Sequence, residues 1–398
     1  MEVEIIKFDN NGRGIAYLND KIVFVPKSVP GDILNIEITL DKKNYMEGKI
    51  VNIIKLSKLR KEPICPYFNI CGGCDLMHIS LSDMLDYKLD KVNNIFNSFK
   101  INYEIKDILK SEKQYNYRNK ISLKIVDGNI GFYENETHNL IKINYCYLCN
   151  DEINKILKDL NKLKINNGLI TIRVNYKNEL LLIIDTNDKI ENINYFEDNY
   201  LLAGIILNGK TVYGDNYFID NINDYLFKVS YNSFFQVNPF ICSKLFLLIE
   251  EATKESKNVL DLYSGVGTLS IVASTNASMA LGVEIVDNAV KDSYVNKCIN
   301  KKENIDFICS DTKKIIDKIT SDYDTIILDP PRSGVDKNII NNIINEKSKK
   351  IIYISCNPHT LGRDLKLLED NYNINDIKLL DMFPNTYHVE TFVVLQRQ

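Results

Sequence analysis

A cysteine followed at once by Asn-Pro closes an apolar run near the end of the 398-residue chain. The apolar run, residues 351–354, predicts a buried strand. Pro358 pushes Asn357 out of the helical region, so the strand must end in a stiff turn. We therefore expect Cys356 to sit on rigid backbone facing a cleft, where an open α/β sheet places its chemistry. A simple packing role is the alternative for a cysteine taken alone.

A second group of cysteines has the spacing of a metal site. Three of them fall within ten residues as C-x5-C-x2-C, with two glycines that let the backbone fold tightly between ligands. Clustered thiolates select soft metals, so the spacing predicts zinc or an iron–sulfur cluster without separating the two. Four ligands are normal for either, and the nearby candidates for the fourth are Cys146 and Cys149. The three clustered cysteines are Cys65, Cys71 and Cys74.

Composition limits the class of protein. The length predicts two or three domains, and 45% hydrophobic with 26% charged residues is typical of a soluble globular protein. The net charge of −4 is unlike that of most nucleic-acid binders, although local basic patches can still bind RNA. No signal peptide and no apolar run of about 20 residues is present, so we expect a cytoplasmic protein with reduced cysteines and no membrane partner.

The strand and helix patterns divide the chain into three parts. Residues 1–57 carry short strands with Gly and Pro turns, which favours a small β-barrel. Residues 58–225 mix strands with a helix predicted at 79–99 and hold the clustered cysteines. From residue 226 to 398 strands alternate with helices, which indicates a doubly wound α/β domain with a parallel sheet.

Glycines and acids follow the strands of this last part. A glycine loop at Gly265 brings backbone close to a ligand, and an acid after the second strand, Glu284, can accept hydrogen bonds from ribose hydroxyls. Asp311 and Asp329 end the next two strands. The third glycine of a dinucleotide fingerprint is replaced by Ser270, which favours S-adenosylmethionine over a nicotinamide dinucleotide. An α/β domain that binds no nucleotide is the remaining alternative.

A methyl donor beside a cysteine nucleophile suits methylation of a pyrimidine at carbon 5. That carbon becomes nucleophilic only after a thiolate adds to carbon 6. A base must then remove the carbon-5 proton so that the cysteine can leave. Glu390 begins an apolar strand, and partial burial would raise its pKa toward that of a base. A solvated glutamate at a strand edge is the alternative.

These motifs together resemble the RNA 5-methyluridine (uracil-C5) methyltransferases that depend on S-adenosylmethionine, in the branch with a TRAM domain and an iron–sulfur site. The resemblance covers essentially the whole chain. It rests on the glycine loop 261–268, Asp-Pro-Pro-Arg-x-Gly at 329–334, Ser-Cys-Asn-Pro-x-Thr-x-x-Arg-Asp at 355–364 and Val-Glu-Thr at 389–391. The implied fold is a Rossmann-like α/β methyltransferase domain, an N-terminal OB-like TRAM barrel and a central α+β domain.

The resemblance implies a role for individual residues. Cys356 is the implied nucleophile and Glu390 the implied base, while residues 117–120 resemble a segment near the target base. Cys149 matches no family cysteine. The implied ligands of a [4Fe–4S] cluster are Cys65, Cys71, Cys74 and Cys146. The cofactor contacts that we expect, from the resemblance and the strand ends, are Gln236, Tyr263, Gly265, Glu284, Asp311 and Asp329.

The expected partner is RNA. The resemblance implies 23S ribosomal RNA rather than transfer RNA, because the TRAM-like part and the clustered cysteines resemble the ribosomal RNA branch of the family. A loop uridine is favoured because the enzyme must extrude its base. We expect a monomer. Two rival hypotheses are a non-catalytic iron–sulfur RNA-binding protein and a nicotinamide-dependent oxidoreductase.

Overall fold

Six short strands form the N-terminal part of the computed structural model, which describes residues 1–134, 137–316 and 323–398. They are β1 (Glu2–Glu4), β2 (Lys7–Phe8), β3 (Gly14–Leu18), β4 (Lys21–Val25), β5 (Ile33–Asp41) and β6 (Tyr45–Lys55). The sheet order is β1-β5-β6-β4-β3-β2. Because β1 and β2 follow each other in the chain but pair with opposite edges, the sheet closes on itself around an apolar core. The small barrel is thus present.

Residues 2–8 form two short strands, β1 and β2, that pair with different neighbours. Ile5 N donates to Asp32 O on one side, whereas Ile6 N donates to Ile15 O on the other. The chain therefore changes partner between β1 and β2. This change closes the barrel, and an alternating sequence pattern cannot show it.

The middle of the chain contains a mixed sheet covered by helices. The elements are α1 (Leu81–Ser98), β7 (Ile108–Leu109), β8 (Lys120–Val126), β9 (Asn129–Tyr133), β10 (Leu140–Lys142), α2 (Asp151–Leu157), a 3₁₀ helix (Leu160–Leu163), β11 (Gly168–Val174), β12 (Leu180–Asp185), α3 (Ile193–Asn199), β13 (Leu202–Leu207) and β14 (Lys210–Gly214). Strands β8 to β14 form one sheet in the order β10-β9-β8-β11-β12-β13-β14. The helix predicted at 79–99 is α1; Ser80 caps its N-terminus by accepting a hydrogen bond from Asp83 N.

The last part of the chain is the predicted α/β domain. Its elements are β15 (Tyr217–Ile222), β16 (Tyr225–Ser230), α4 (Pro239–Thr253), β17 (Asn258–Asp261), α5 (Thr268–Ala273), β18 (Met279–Glu284), α6 (Asp287–Ile299), β19 (Ile305–Cys309), α7 (Thr312–Ile315), β20 (Thr325–Leu328), α8 (Lys337–Glu346), β21 (Lys350–Ser355), α9 (Pro358–Leu368), β22 (Tyr372–Leu380) and β23 (Glu390–Arg397). The sheet order is β19-β18-β17-β20-β21-β23-β22-β7. Strands β17 to β21 are parallel, whereas β23 is antiparallel to both of its neighbours.

Residues 81–109 pack with this α/β domain. Strand β7 pairs with β22 at the edge of the sheet, and α1 lies against α9. Val92 and Phe96 of α1 share one buried apolar cluster with Ile351 and Tyr353 of β21. The domain limits 1–57, 58–225 and 226–398 stay a prediction. Within the described residues, no helix is both long and apolar enough to span a membrane.

Candidate active site

Cys356 follows β21 directly, at the carboxyl edge of the parallel strands. Asn357 has an extended backbone (φ −130°, ψ 99°), and its side-chain oxygen accepts a hydrogen bond of 3.1 Å from His359 N. Pro358 then begins α9, where a missing N–H costs nothing. The predicted stiff turn is thus present, and Asn357 is also the N-cap of the helix that follows.

Glu390 lies opposite Cys356 on the neighbouring strand. Ser355 pairs with Thr391 in the antiparallel register of β21 and β23, so the next residue on each side is Cys356 and Glu390. Glu390 is only 4% exposed, which is deeper than the partial burial that its sequence suggests. Burial raises the pKa of this carboxyl well above its ordinary value, and the Asp329 carboxylate adds to the rise.

The thiol of Cys356 responds to the same surroundings. Burial and the nearby Glu390 carboxylate raise the pKa of Cys356 to about 11, while the Arg332 guanidinium opposes the rise. Burial and the Asp261 carboxylate raise the pKa of Asp329 to about 7. The site therefore crowds acidic groups in a place with little water, where each group resists ionisation.

The Asp-Pro-Pro-Arg loop is held against the cysteine turn by hydrogen bonds. Asn357 Nδ2 donates to Arg332 O at 3.0 Å, and Thr360 Oγ1 donates to the same oxygen at 3.3 Å. Arg363 Nη2 donates to Ser333 O at 3.1 Å. The two sequence motifs, residues 329–334 and 355–364, thus form one structural unit, and their polar residues keep the loop beside the thiol.

Gly334 shows how close this packing is. Its φ is +77°, and an added Cβ would lie 2.6 Å from Arg363 Nη2 and 2.7 Å from Asp364 Oδ2. The Asp364 carboxylate is fully buried, accepting from Val335 N at 2.9 Å and from Tyr353 Oη at 2.7 Å. A residue with a side chain at position 334 would displace this network.

Four of the six predicted cofactor residues line one cavity beside this unit. The cavity has a volume of about 40 Å³, and its lining includes Gln236, Tyr263, Gly265 and Asp329. Gly265 has φ +55°, and an added Cβ would meet nothing within 4 Å, so the loop faces open space.

The other two predicted cofactor residues lie at neighbouring strand ends. The Glu284 carboxylate accepts from Gly265 N at 3.0 Å and from Ile285 N and Val286 N at 2.8 Å each. Asp311 caps α7 by accepting from Lys313 N at 3.0 Å. Neither of them lines the 40 Å³ cavity.

Two further polar groups in the glycine loop were not predicted as site residues. Ser264 is buried, and its hydroxyl has no hydrogen-bond partner among the described residues. Asp261 is buried beneath the loop, accepts from Ser270 Oγ at 2.6 Å and has a pKa raised to about 6 by burial. An unpartnered buried hydroxyl indicates space for a ligand, and no sequence signal distinguishes such a serine from one that packs.

The predicted metal ligands line a different and larger cavity, of about 430 Å³. Its lining includes all four predicted cysteines and also Cys149: Cys65, Cys71, Cys74, Cys146 and Cys149. Among residues 1–134, 137–316 and 323–398, however, no group of three or more His, Cys, Asp or Glu side chains is placed to hold a metal ion. The cysteines share one cavity, but the predicted metal site is not confirmed.

The cysteine cavity reaches the segment that also borders the cofactor cavity. Arg118, Lys120 and Gln236 contribute to its wall. Asn119 N donates to Val237 O at 3.0 Å, and Asn119 Nδ2 donates to Gln236 O at 3.2 Å. The segment 117–120 thus fixes the backbone that carries Gln236.

Comparison with known proteins gives the family. Residues 210–398 match the family described as tRNA (Uracil-5-)-methyltransferase, and residues 1–51 match the TRAM domain. Uncharacterized RNA methyltransferases of Clostridium tetani and Caldanaerobacter subterraneus subsp. tengcongensis are 32% and 34% identical to the chain. The first alignment covers 96% of this chain and 93% of the relative, and the second covers 100% and 98%.

A solved structure of a uracil-C5 methyltransferase is also similar to this chain. The Pyrococcus abyssi tRNA (uracil-54, C5)-methyltransferase in complex with S-adenosyl-L-homocysteine superposes with a TM-score of 0.82 at 26% identity, covering 99% of this chain and 100% of that one. The fold and the family matches therefore define a methyltransferase. More narrowly, the chain belongs to the RNA uracil-5-methyltransferase family, in the form that carries an N-terminal TRAM domain.

Proposed function

We propose that this enzyme methylates carbon 5 of a uridine in RNA, with Cys356 as the nucleophile and Glu390 as the base. One observation carries the proposal: the antiparallel register of β21 and β23 places these two residues opposite each other at the carboxyl edge of the sheet. The glycine-loop cavity, lined in part by Asp329, lies beside them. A thiol and a carboxyl are the two groups that the reaction requires.

The proposed reaction has three steps. The Cys356 thiolate adds to carbon 6 of uracil, forming a carbon–sulfur bond and moving the double-bond electrons toward the carbon-4 oxygen. Carbon 5 would then take the methyl group of S-adenosylmethionine as the bond from that methyl to the sulfonium sulfur breaks, so that S-adenosylhomocysteine leaves. The Glu390 carboxylate removes the carbon-5 proton, the double bond forms again, and the thiolate leaves. Arg332 favours the thiolate because its positive charge lowers the pKa of Cys356.

The residues present fit S-adenosylmethionine. Gly265 faces open space, Ser264 keeps a buried unpartnered hydroxyl, and both Asp329 and Gln236 line the cavity. A carboxylate near the cavity suits a cationic sulfonium better than a pyrophosphate. We propose that Gln236, Tyr263, Gly265 and Asp329 contact this cofactor directly and that Glu284 and Asp311 border it.

The test is a trapping experiment with purified protein, S-adenosylmethionine and unmodified RNA. Glu390→Gln should accumulate a covalent protein–RNA adduct that survives denaturation, because the carbon-5 proton stays in place. Cys356→Ala should form neither adduct nor 5-methyluridine. Cys298, an exposed cysteine near the C-terminal end of α6, gives the matched control Cys298→Ala, which should keep full activity. Methylation by Cys356→Ala would refute the nucleophile.

We propose 23S ribosomal RNA as the first substrate to test, on the basis of the clustered cysteines and the TRAM domain. A uridine in transfer RNA is the second candidate. It is favoured by the Pyrococcus abyssi tRNA enzyme, which covers 99% of this chain, so a TRAM domain alone does not separate the two RNAs. Mapping 5-methyluridine in both RNAs after incubation with the purified protein decides between them.

We also propose that Cys65, Cys71, Cys74 and Cys146 hold a [4Fe–4S] cluster. The support is that four free thiols line one cavity and that thiolates are the ligands such clusters use. Protein purified without oxygen should contain iron and sulfide in equal amounts, and Cys71→Ser should lose both, whereas Cys298→Ser should keep them. Zinc without sulfide would contradict the cluster.

A further inference from the structure

The segment 381–389, which leads into Glu390, has no regular secondary structure, yet most of it is buried. Other parts of the chain hold it through its backbone oxygens. Tyr117 Oη donates to Pro384 O at 3.1 Å, and Asn238 Nδ2 donates to Met382 O at 3.1 Å. The position of the base is thus set by contacts from distant residues.

Helix α1 contributes two lysines to the same segment. Lys88 Nζ lies 2.6 Å from Asp381 Oδ1, and both side chains are fully buried. Lys88 Nζ also donates to Phe383 O at 3.0 Å, and Lys91 Nζ donates to Tyr387 O at 2.9 Å. These bonds fix the two ends of the segment.

Asn385 stands at its centre. It is fully buried, and its φ of +66° is a left-handed conformation that asparagine tolerates better than most residues. Its Nδ2 donates to Gln114 O at 2.8 Å, and its Oδ1 accepts from Gln114 Nε2 at 3.2 Å. Its carbonyl oxygen accepts from both Asp75 N and Leu76 N at 3.0 Å. One residue therefore joins the base segment to two separate parts of the chain.

One of those parts is the cysteine segment, because Asp75 follows Cys74 directly. The Asp75 carboxylate also accepts from Tyr387 N at 3.4 Å. Lys27 of the barrel donates to Cys74 O on the other side. A continuous set of hydrogen bonds thus runs from the barrel through the cysteine segment to Asn385, five residues before Glu390.

We propose that Asn385 is a positioning residue for Glu390: its side chain fixes the segment 381–389 to Gln114 while its carbonyl oxygen bonds to the cysteine segment, so that the carboxylate meets the carbon-5 proton. The inference rests on the proposed function and deepens it. Thiol addition depends on Cys356, which β21 and α9 hold without Asn385. Loss of Asn385 should therefore slow proton removal much more than adduct formation.

The experiment uses the full-length enzyme with RNA tritiated at carbon 5 of uridine. Asn385→Gly keeps the left-handed backbone accessible and removes both side-chain hydrogen bonds. Because a misplacement of about 1 Å costs about 100-fold in rate, tritium release should fall by roughly 10- to 100-fold. The covalent adduct should form at about the wild-type rate and then accumulate, and the KM for RNA should change less than about 2-fold, since the Asn385 side chain is fully buried and cannot contact RNA.

Asn208→Gly is the matched control. Asn208 is also left-handed (φ +48°), and its side chain accepts from Thr186 N and donates to Thr186 O, but it lies in the central sheet region. It should leave tritium release unchanged. If Asn385→Gly does not fold, Asn385→Asp keeps the shape, loses the bond to Gln114 O and allows the same comparison.

Equal decreases in adduct formation and tritium release would overturn the inference, because they would indicate a general loss of structure. Unchanged tritium release in Asn385→Gly would also overturn it. If Glu390→Gln gives no adduct with any RNA while Asn385→Gly is folded, the proposed function itself fails, and the two failures are thus distinguishable.

Discussion

Asp329 should make the protein less stable at high pH, and Asp329→Asn should remove part of that loss. Burial and the Asp261 carboxylate raise the pKa of Asp329 from 3.8 to about 7. Between these two values the folded state binds more protons than the unfolded state, so stability falls as pH rises through this range. The Asp329 carboxyl group therefore stabilises the folded state only when it is protonated.

The expected change in the free energy of unfolding follows from the pKa of Asp329. One pKa unit corresponds to about 1.4 kcal/mol, so the full rise is equivalent to about 4 kcal/mol above pH 7. The electrostatic repulsion is distributed among Asp329, Asp261 and Glu390, so replacing Asp329 alone recovers only part of this free energy. We expect Asn at position 329 to stabilise the protein by about 2–4 kcal/mol at pH 8 and by about 1–2 kcal/mol at pH 5. The cost of burying the introduced asparagine amide does not depend on pH, so it cancels when the effects on the free energy of unfolding at the two pH values are compared.

Urea denaturation at pH 5 and pH 8 measures both free energies of unfolding. Asp292→Asn is the matched control, because the Asp292 carboxylate is buried in the same domain but accepts from Ser230 N at 2.9 Å and pairs with Lys228 at 3.2 Å. Removing that charge should destabilise the protein by about 1–3 kcal/mol. A gain for Asp329→Asn that is equal at the two pH values would refute the reasoning.

Three further predictions concern stability and the loop. Lys88→Met leaves a buried carboxylate unpaired and should cost about 3–5 kcal/mol in urea denaturation, against less than about 1 kcal/mol for Lys21→Met at an exposed pair. Gly334→Ala should cost at least about 1 kcal/mol more than Gly128→Ala, since both are left-handed but only the first meets an atom at 2.6 Å. Asn357→Ala should lose about 1 kcal/mol of helix capping and slow methyl transfer, whereas Asn357→Asp keeps the cap.

A specific result would contradict each of these three predictions. Equal costs for the two lysine variants would mean that the buried pair contributes no more than a surface pair. Equal costs for the two glycine variants would mean that the loop yields freely at position 334. Full activity of Asn357→Ala in a methylation assay would mean that its bond to Arg332 O does not position the loop.

The sequence predicts the backbone conformation at the strand ends well because local rules govern it. Pro358 forces an extended Asn357, and the alternation of strands and helices indicates the sheet. The attachment of β7 to this sheet was not predictable in the same way. Two residues, Ile108–Leu109, carry no periodic pattern, and their pairing with β22 joins positions that lie far apart in sequence.

Burial was the other quantity that local patterns could not supply. Glu390 begins an apolar strand, which suggests an exposed or partly covered end, yet it is only 4% exposed. Lys88 shows the same limit, because nothing in the periodicity of α1 distinguishes a lysine that pairs with Asp381 from one in solvent. Both depend on contacts over long sequence separations.

The antiparallel direction of β23 explains why the site can form at all. In a parallel sheet every strand presents its last residue at the carboxyl edge, and its first residue lies at the opposite edge. Because β23 runs against β21, its first residue, Glu390, reaches the edge where β21 ends at Ser355 and Cys356 follows. The segment before it must then also lie at this edge, where Asn385 can bond to the cysteine segment. A reversed strand thus brings the proposed base, its proposed positioning residue and the cysteine segment to the side of the sheet where the proposed nucleophile lies.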